Sequence, residues 1–134
     1  MDIVEVTVAI IERGGRYLIG KRAAGKHKAG QWEFPGGKVE PGETAVECLK
    51  RELEEEFGVS ATVGRRFFNW DFDYKTTVGP LKFYSFVCSL ENGEFHLTAH
   101  DEVKWADAEE LERTDLVAAD RILAEKLKSI RSEI

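Results

Sequence analysis

A chain of 134 residues, 43% hydrophobic and 33% charged, carries enough apolar material for one core and enough charge for a solvated surface, which excludes a disordered chain and leads us to expect a single domain spanning residues 1–134. Its net charge of -6, with lysines and arginines interspersed among acids, excludes general affinity for a nucleic-acid polymer, which needs a basic stripe. Cys48 and Cys88 make no disulfide framework. Residues 1–11 carry Asp2 and Glu5 within a short apolar run, unlike a signal peptide, and no stretch reaches the ~20 apolar residues of a membrane span, so a soluble cytoplasmic protein without a membrane partner, monomer or homodimer, is expected.

In chain order, the Val- and Ile-rich run from Ile3 to Ile11 reads as a strand, Glu12-Arg13-Gly14-Gly15 as a turn, and Tyr17 to Gly20 as a second strand completing a hairpin. Residues 21–30 are polar, basic and glycine-containing, as loops are. Gln31 to Phe34 reads as a short strand broken by Pro35-Gly36-Gly37. Thr44 to Phe57 is the strongest helix: Thr44 and Glu47 have capping-box spacing, and Gly58 stands where a helix stop belongs. Strands are predicted over 61–72 and 81–90, separated by Gly79-Pro80, and a further one over 102–106. Asp107 and Glu110 can cap a short helix through Arg113. Leu116, Ala119, Leu123, Leu127 and Ile130 recur at helical spacing, predicting a last helix over 116–130. This order implies an α/β fold, an α/β/α sandwich with a mixed β-sheet between helices.

On the 44–57 helix, Val46, Leu49, Leu53 and Phe57 fall on one face, with Glu47, Lys50 and Glu54 opposite. Glu52 and Glu56 stack at one-turn spacing beside the apolar stripe, with Glu55 close by. Like charges so placed destabilise a helix unless something positive offsets them. A solvated acidic face is the ordinary meaning of such a run. Here Gly36-Gly37 can offer a bare carbonyl at the same end and Glu43 a further carboxylate, a set of hard oxygen ligands suited to Mg2+ or Mn2+.

Reading from Gly37, five residues lead to Glu43, seven more to Arg51-Glu52-Leu53, and then come Glu54, Glu55-Glu56, Phe57 and Gly58-Val59. This series is similar to the Nudix box at every specified position from 37 to 59. Lys21-Arg22-Ala23-Ala24, His27 and Glu33-Phe34-Pro35-Gly36-Gly37-Lys38 resemble the MutT-type branch of that family. The resemblance implies the Nudix-type sandwich and a magnesium-dependent hydrolase that converts a nucleoside triphosphate to the monophosphate and pyrophosphate. It implies Glu52, Glu55, Glu56 and the Gly37 carbonyl as metal ligands, Glu43 as their support, Arg51 as the residue orienting a neighbouring glutamate, and Arg22 as a phosphate contact. Many MutT-type relatives place one more glutamate six residues before the tryptophan matching Trp105. Ala99 stands there, so Glu102 is the substitute ligand expected, and His100 is left out of the site as a polar loop residue.

Asp120 falls near the apolar stripe of the last helix and so points a carboxylate inward. It resembles the residue of MutT-type relatives that reads the base, with Phe34 and Phe83 available for stacking. Ionised, Asp120 suits the exocyclic amine of a cytidine nucleotide; protonated, it suits an oxidised guanine nucleotide such as 8-oxo-dGTP. The same box would serve a hydrolase of nucleotide sugars or dinucleotides. A non-catalytic nucleotide-binding module fits less well, because every box glutamate is present.

Overall fold

In the computed structural model, which describes residues 3–76 and 79–132, the apolar run near the start forms strand β1 (Val4–Arg13) at the middle of a mixed sheet. β2 (Arg16–Arg22) pairs with β1 only at Glu12↔Tyr17 and Arg13↔Arg16, and then the two diverge. The vacated edge of β1 takes β4 (Gly36–Lys38), while β2 takes β3 (Trp32–Glu33) and later β7 (His100–Ala106). On its other side β1 runs parallel to β6 (Pro80–Leu90), from Val4↔Leu81 to Ile11↔Cys88, and β5 (Ala61–Asp73) closes that flank antiparallel to β6.

Alternation along β1 divides the core into two. Val8 and Ile10 point to a cluster with Tyr17, Ile19 and Trp70 beneath α2 (Ala108–Arg113) and α3 (Ala118–Ser132), which contribute Leu111, Leu123 and Leu127. Ala9 and Ile11 point the other way, to Leu18, Phe86 and the helix residues Leu49, Leu53 and Phe57. Burial on both faces of β1 is what a sheet sandwiched between helices requires, and the α/β/α expectation holds.

The box helix begins as the sequence indicates. Thr44 Oγ1 accepts from Glu47 N at 3.1 Å, and Glu47 Oε1 accepts from Thr44 N at 2.9 Å, a reciprocal capping box on α1 (Ala45–Glu52). From Leu53 to Phe57 the winding opens into a π-helical turn, which Gly58 ends in the left-handed conformation at φ 67°. The last carbonyls are taken by the chain before β7: Thr98 Oγ1 donates to Glu55 O at 2.7 Å, Thr98 N to Glu56 O at 3.1 Å and His96 N to Phe57 O at 2.9 Å.

Two expectations need correction. Val46 is 37% exposed and lies at the rim of the apolar stripe, whose centre runs through Ala45, the fully buried Cys48, and Leu49. The last helix starts at Ala118 and not at 116, because residues 115–117 lie along β3: Trp32 N donates to Asp115 O and Val117 N to Trp32 O, both at 2.9 Å.

Candidate active site

The β3–β4 connection brings a bare backbone to the box helix. A Cβ on Gly36 would overlap the carbonyl oxygen of Thr7 across the β1–β4 pair, and one on Gly37 would overlap the Glu52 carboxylate. Glycine at 37 therefore lets Glu52 close against the main chain, beside the Gly37 carbonyl.

Arg51 organises the acids around it. Its Nε donates to Glu43 Oε2 at 2.7 Å and its Nη2 to Glu43 Oε1 at 3.0 Å, while Nη1 reaches Glu52 Oε1 at 2.9 Å and Glu55 Oε2 at 3.2 Å. The hydrogen bonds from Arg51 hold the Glu43 carboxyl down at about 2. Burial raises Glu52 above the ordinary carboxylate range. Glu56 is pushed up to about 7 by burial and then by the charges of Glu52 and Glu33. Arg51 serves Glu43, Glu52 and Glu55 but not Glu56. The Glu55 side chain is 60% exposed and sits on Arg51 at the rim.

Glu52, Glu56, Gly37, Arg22, Phe34 and Asp120 all line one pocket of about 830 Å3. Phe83 lines it too, stacked on Trp70 at 5.1 Å between ring centres. Arg22 is committed within the wall, its Nη1 donating to Glu33 Oε2 at 3.0 Å. Asp120, 4% exposed, accepts from the backbone N–H of Phe34 through Oδ2 at 2.8 Å. Burial, and after it the charge of Glu33, raises Asp120 to about 8, against the pull of the Phe34 N–H and Lys28.

Glu102 does not join this set. Its side chain is 56% exposed, 3.7 Å from Lys21 Nζ and outside the pocket lining. The cause is a bulge: Lys21 faces Glu102 but Arg22 faces His100, which leaves Asp101 as the extra residue. In a regular strand residues 100 and 102 share a face; the bulge turns His100 inward and leaves Glu102 outside. His100, set aside in the sequence, is thus buried against Phe57 with its Nε2 2.8 Å from Glu33 Oε2. Glu33, Glu56 and His100 each bring a ligand atom within 4.8 Å of the others. No signal in the sequence marks the bulge. Lys28 and Tyr74 were also missed: they meet across the pocket wall, with the ammonium 3.0 Å from the ring centre, and Tyr74 Oη accepts from Ala119 N at 2.9 Å.

The donors fit a hard divalent cation. They are carboxylate oxygens with a nearby main-chain carbonyl, and burial raises Glu52, despite its bond to Arg51, and Glu56, whose neighbours Glu52 and Glu33 raise it further.

The chain matches the NUDIX domain family over residues 1–127. It is 35% identical to the CTP pyrophosphohydrolase of Escherichia coli over 98% of this chain and 96% of that one. It is 40% identical to the 8-oxo-dGTP diphosphatase of Haemophilus influenzae over 61% of each chain. The solution structure of the E. coli ORF135 protein superposes with a TM-score of 0.83 and 34% identity, covering 99% of this chain and 94% of that one. The chain therefore belongs to the Nudix family of hydrolases. Within the family it is an enzyme of the MutT-type branch.

Proposed function

We propose that this hydrolase cleaves a nucleoside triphosphate to the monophosphate and pyrophosphate with the help of magnesium, with a cytidine nucleotide or an oxidised guanine nucleotide as its preferred substrate. One observation carries the proposal: a single pocket has the half-buried carboxylates of Glu52 and Glu56 together with Gly37, whose carbonyl also accepts from Thr7 Oγ1 at 3.3 Å, and the inward carboxyl of Asp120. Phosphate chemistry and base recognition thereby share one cavity. The E. coli relative that matches along nearly the whole chain is a CTP pyrophosphohydrolase, which supports a cytidine nucleotide, whereas the raised carboxyl of Asp120, protonated at neutral pH, supports an oxidised guanine nucleotide.

Glu52, Glu56 and the Gly37 carbonyl would hold the cation, with Glu55 flanking them from the rim. Bound there, magnesium supplies neutralisation of the polyphosphate charge and an acidified water. Glu43 acts through Arg51, which fixes Glu52 in place. Arg22 presents its guanidinium at the pocket wall to the phosphates. Asp120 receives the base edge, and Phe34 and Phe83 supply apolar surface to the base face.

The test is product chromatography over a panel of canonical and oxidised nucleoside triphosphates, with and without magnesium. Monophosphate plus pyrophosphate, fastest with a cytidine or an oxidised guanine nucleotide, is the expected result. Orthophosphate with accumulating diphosphate would overturn the bond assignment, and equal rates across the panel would overturn the base preference.

A further inference from the structure

His100 is placed with more care than a core histidine needs. Its side chain is fully buried, and the imidazole stacks on Phe57 at 4.6 Å between ring centres and 28° between planes. An edge of this stack faces Gly20 of β2, where a Cβ would come within 2.7 Å of His100 Cδ2 and 3.2 Å of Phe57 Cε1. Phe57 thus sets the ring plane, Gly20 leaves room for it, and the β7 bulge sets its direction.

The ring's hydrogen bonding is one-sided. Nδ1 is buried and has no partner among the described residues, whereas Nε2 lies 2.8 Å from Glu33 Oε2. The same oxygen accepts from Arg22 Nη1 at 3.0 Å. An ionised carboxylate oxygen can only accept, so the tautomer with its hydrogen on Nε2 is the one that bonds Glu33. A third element, β3, supplies Glu33, and the pair of donors holds its carboxylate within 4.8 Å of a Glu56 ligand atom. Like charges at that distance repel, and chain packing alone gives no reason to hold them together.

We infer that His100 is a positioning residue that fixes the Glu33 carboxylate beside Glu56 and makes Glu33 part of the oxygen set that receives the divalent cation. The inference rests on the metal-binding reading proposed above. Groups that orient ligands in this way change metal affinity or activity by roughly 10- to 100-fold when removed.

The test uses Mn2+ as probe, with free ion counted by electron paramagnetic resonance during titration of the nucleotide-free protein. His100→Leu keeps the volume but removes the donor and is expected to weaken Mn2+ about 10-fold and to lower kcat with little change in nucleotide KM. His100→Gln retains an amide donor and is expected to recover most of the loss. Glu33→Gln is expected to match His100→Leu, and the double variant to be no weaker than either single one, since both remove the same interaction. A folded His100→Leu protein with the parent's Mn2+ affinity would overturn the inference, as would losses that multiply in the double variant. If His100→Leu does not fold, Glu33→Gln decides, and parental Mn2+ affinity there overturns it. Glu56→Gln separates the levels: if Mn2+ binding survives that change intact, the metal-site reading itself fails.

Discussion

The Arg51 guanidinium closes on Glu43 as a fork, with Nε on one carboxylate oxygen at 2.7 Å and Nη2 on the other at 3.0 Å. A lysine can offer a point charge there but not two parallel donors, and it would also lose the contact to Glu52. Arg51→Lys is expected to fold and to lose roughly 10- to 100-fold in kcat/KM. The acid side of the stability profile supplies a second readout. Glu43 lies at about 2, against an ordinary 4.5, so its contribution is fully present above 4.5 and is lost as pH falls toward 2. Melting curves between pH 5 and pH 2 should show the variant losing less stability over that interval than the parent.

Magnesium is expected to stabilise the fold, because it binds the native carboxylate cluster and not the unfolded chain. At a hundredfold excess over its dissociation constant the gain is about 2.7 kcal/mol, or roughly 10 °C in Tm for a chain of this size. Glu56→Gln should abolish most of that rise and cut turnover by orders of magnitude. Glu55→Gln, at the exposed rim, should cost less. A Tm indifferent to millimolar magnesium would contradict the first expectation, and equal losses in the two variants would contradict the second.

Gly36 and Gly37 are adjacent but fail differently when a methyl is added. At 36 the obstacle is the backbone of Thr7 within the sheet, which cannot give way, so Gly36→Ala is expected to lower stability by several kcal/mol, as tight core overpacking does. At 37 the obstacle is the Glu52 carboxylate, which can swing aside. Gly37→Ala should therefore fold with a near-parental Tm yet lose activity by at least tenfold. Denaturant unfolding and kinetics on the same samples check both.

Asp120 has the opposite pH sign to Glu43. Its pKa is raised from 3.8 to about 8, so the folded chain binds a proton that the unfolded chain releases. Stability from this group is fully present below about 4, declines as pH rises and is lost above about 8. Asp120→Asn removes the titration, so its Tm should vary less than the parent's between pH 5 and pH 9. The ranking of substrates by kcat/KM should change in the same variant. An unchanged ranking in both Asp120→Asn and Asp120→Ala would show that Asp120 does not read the base.

Local signals made the box helix legible. Thr44, Glu47 and Gly58 mark its ends through bonds between near neighbours, and the unbroken apolar run from Val8 to Ile11 marks a strand. The box glutamates were visible for the same reason, since their spacing lies within one helix. The parallel β1–β6 pairing was not, because it joins distant segments with no local mark. The exposure of Glu102 and the burial of His100 share one cause. A single unpaired residue, Asp101, reverses the inward and outward faces of β7 upstream of it, and alternation counted along the sequence cannot register an insertion that only the partner strand defines. Residues 116 and 117 were read as helix because apolar spacing alone does not reveal that Trp32 pairs with the backbone of residues 115–117.

The π-helical turn from Leu53 to Phe57 also limits how this segment can change length over evolutionary time. It holds one residue more per hydrogen-bonded loop than an α-turn, which allows Leu53 and Phe57 to be fully buried while Glu56 reaches the pocket. Deleting one residue there would restore regular winding with the flanking parts nearly in phase, but only two of the three glutamates between Leu53 and Phe57 would then remain. Descendants of this chain can gain or lose residues at the Gly14-Gly15 turn or in the stretch 91–94, where a longer loop only spans more solvent. Between Leu53 and Phe57 they can exchange side chains but not count.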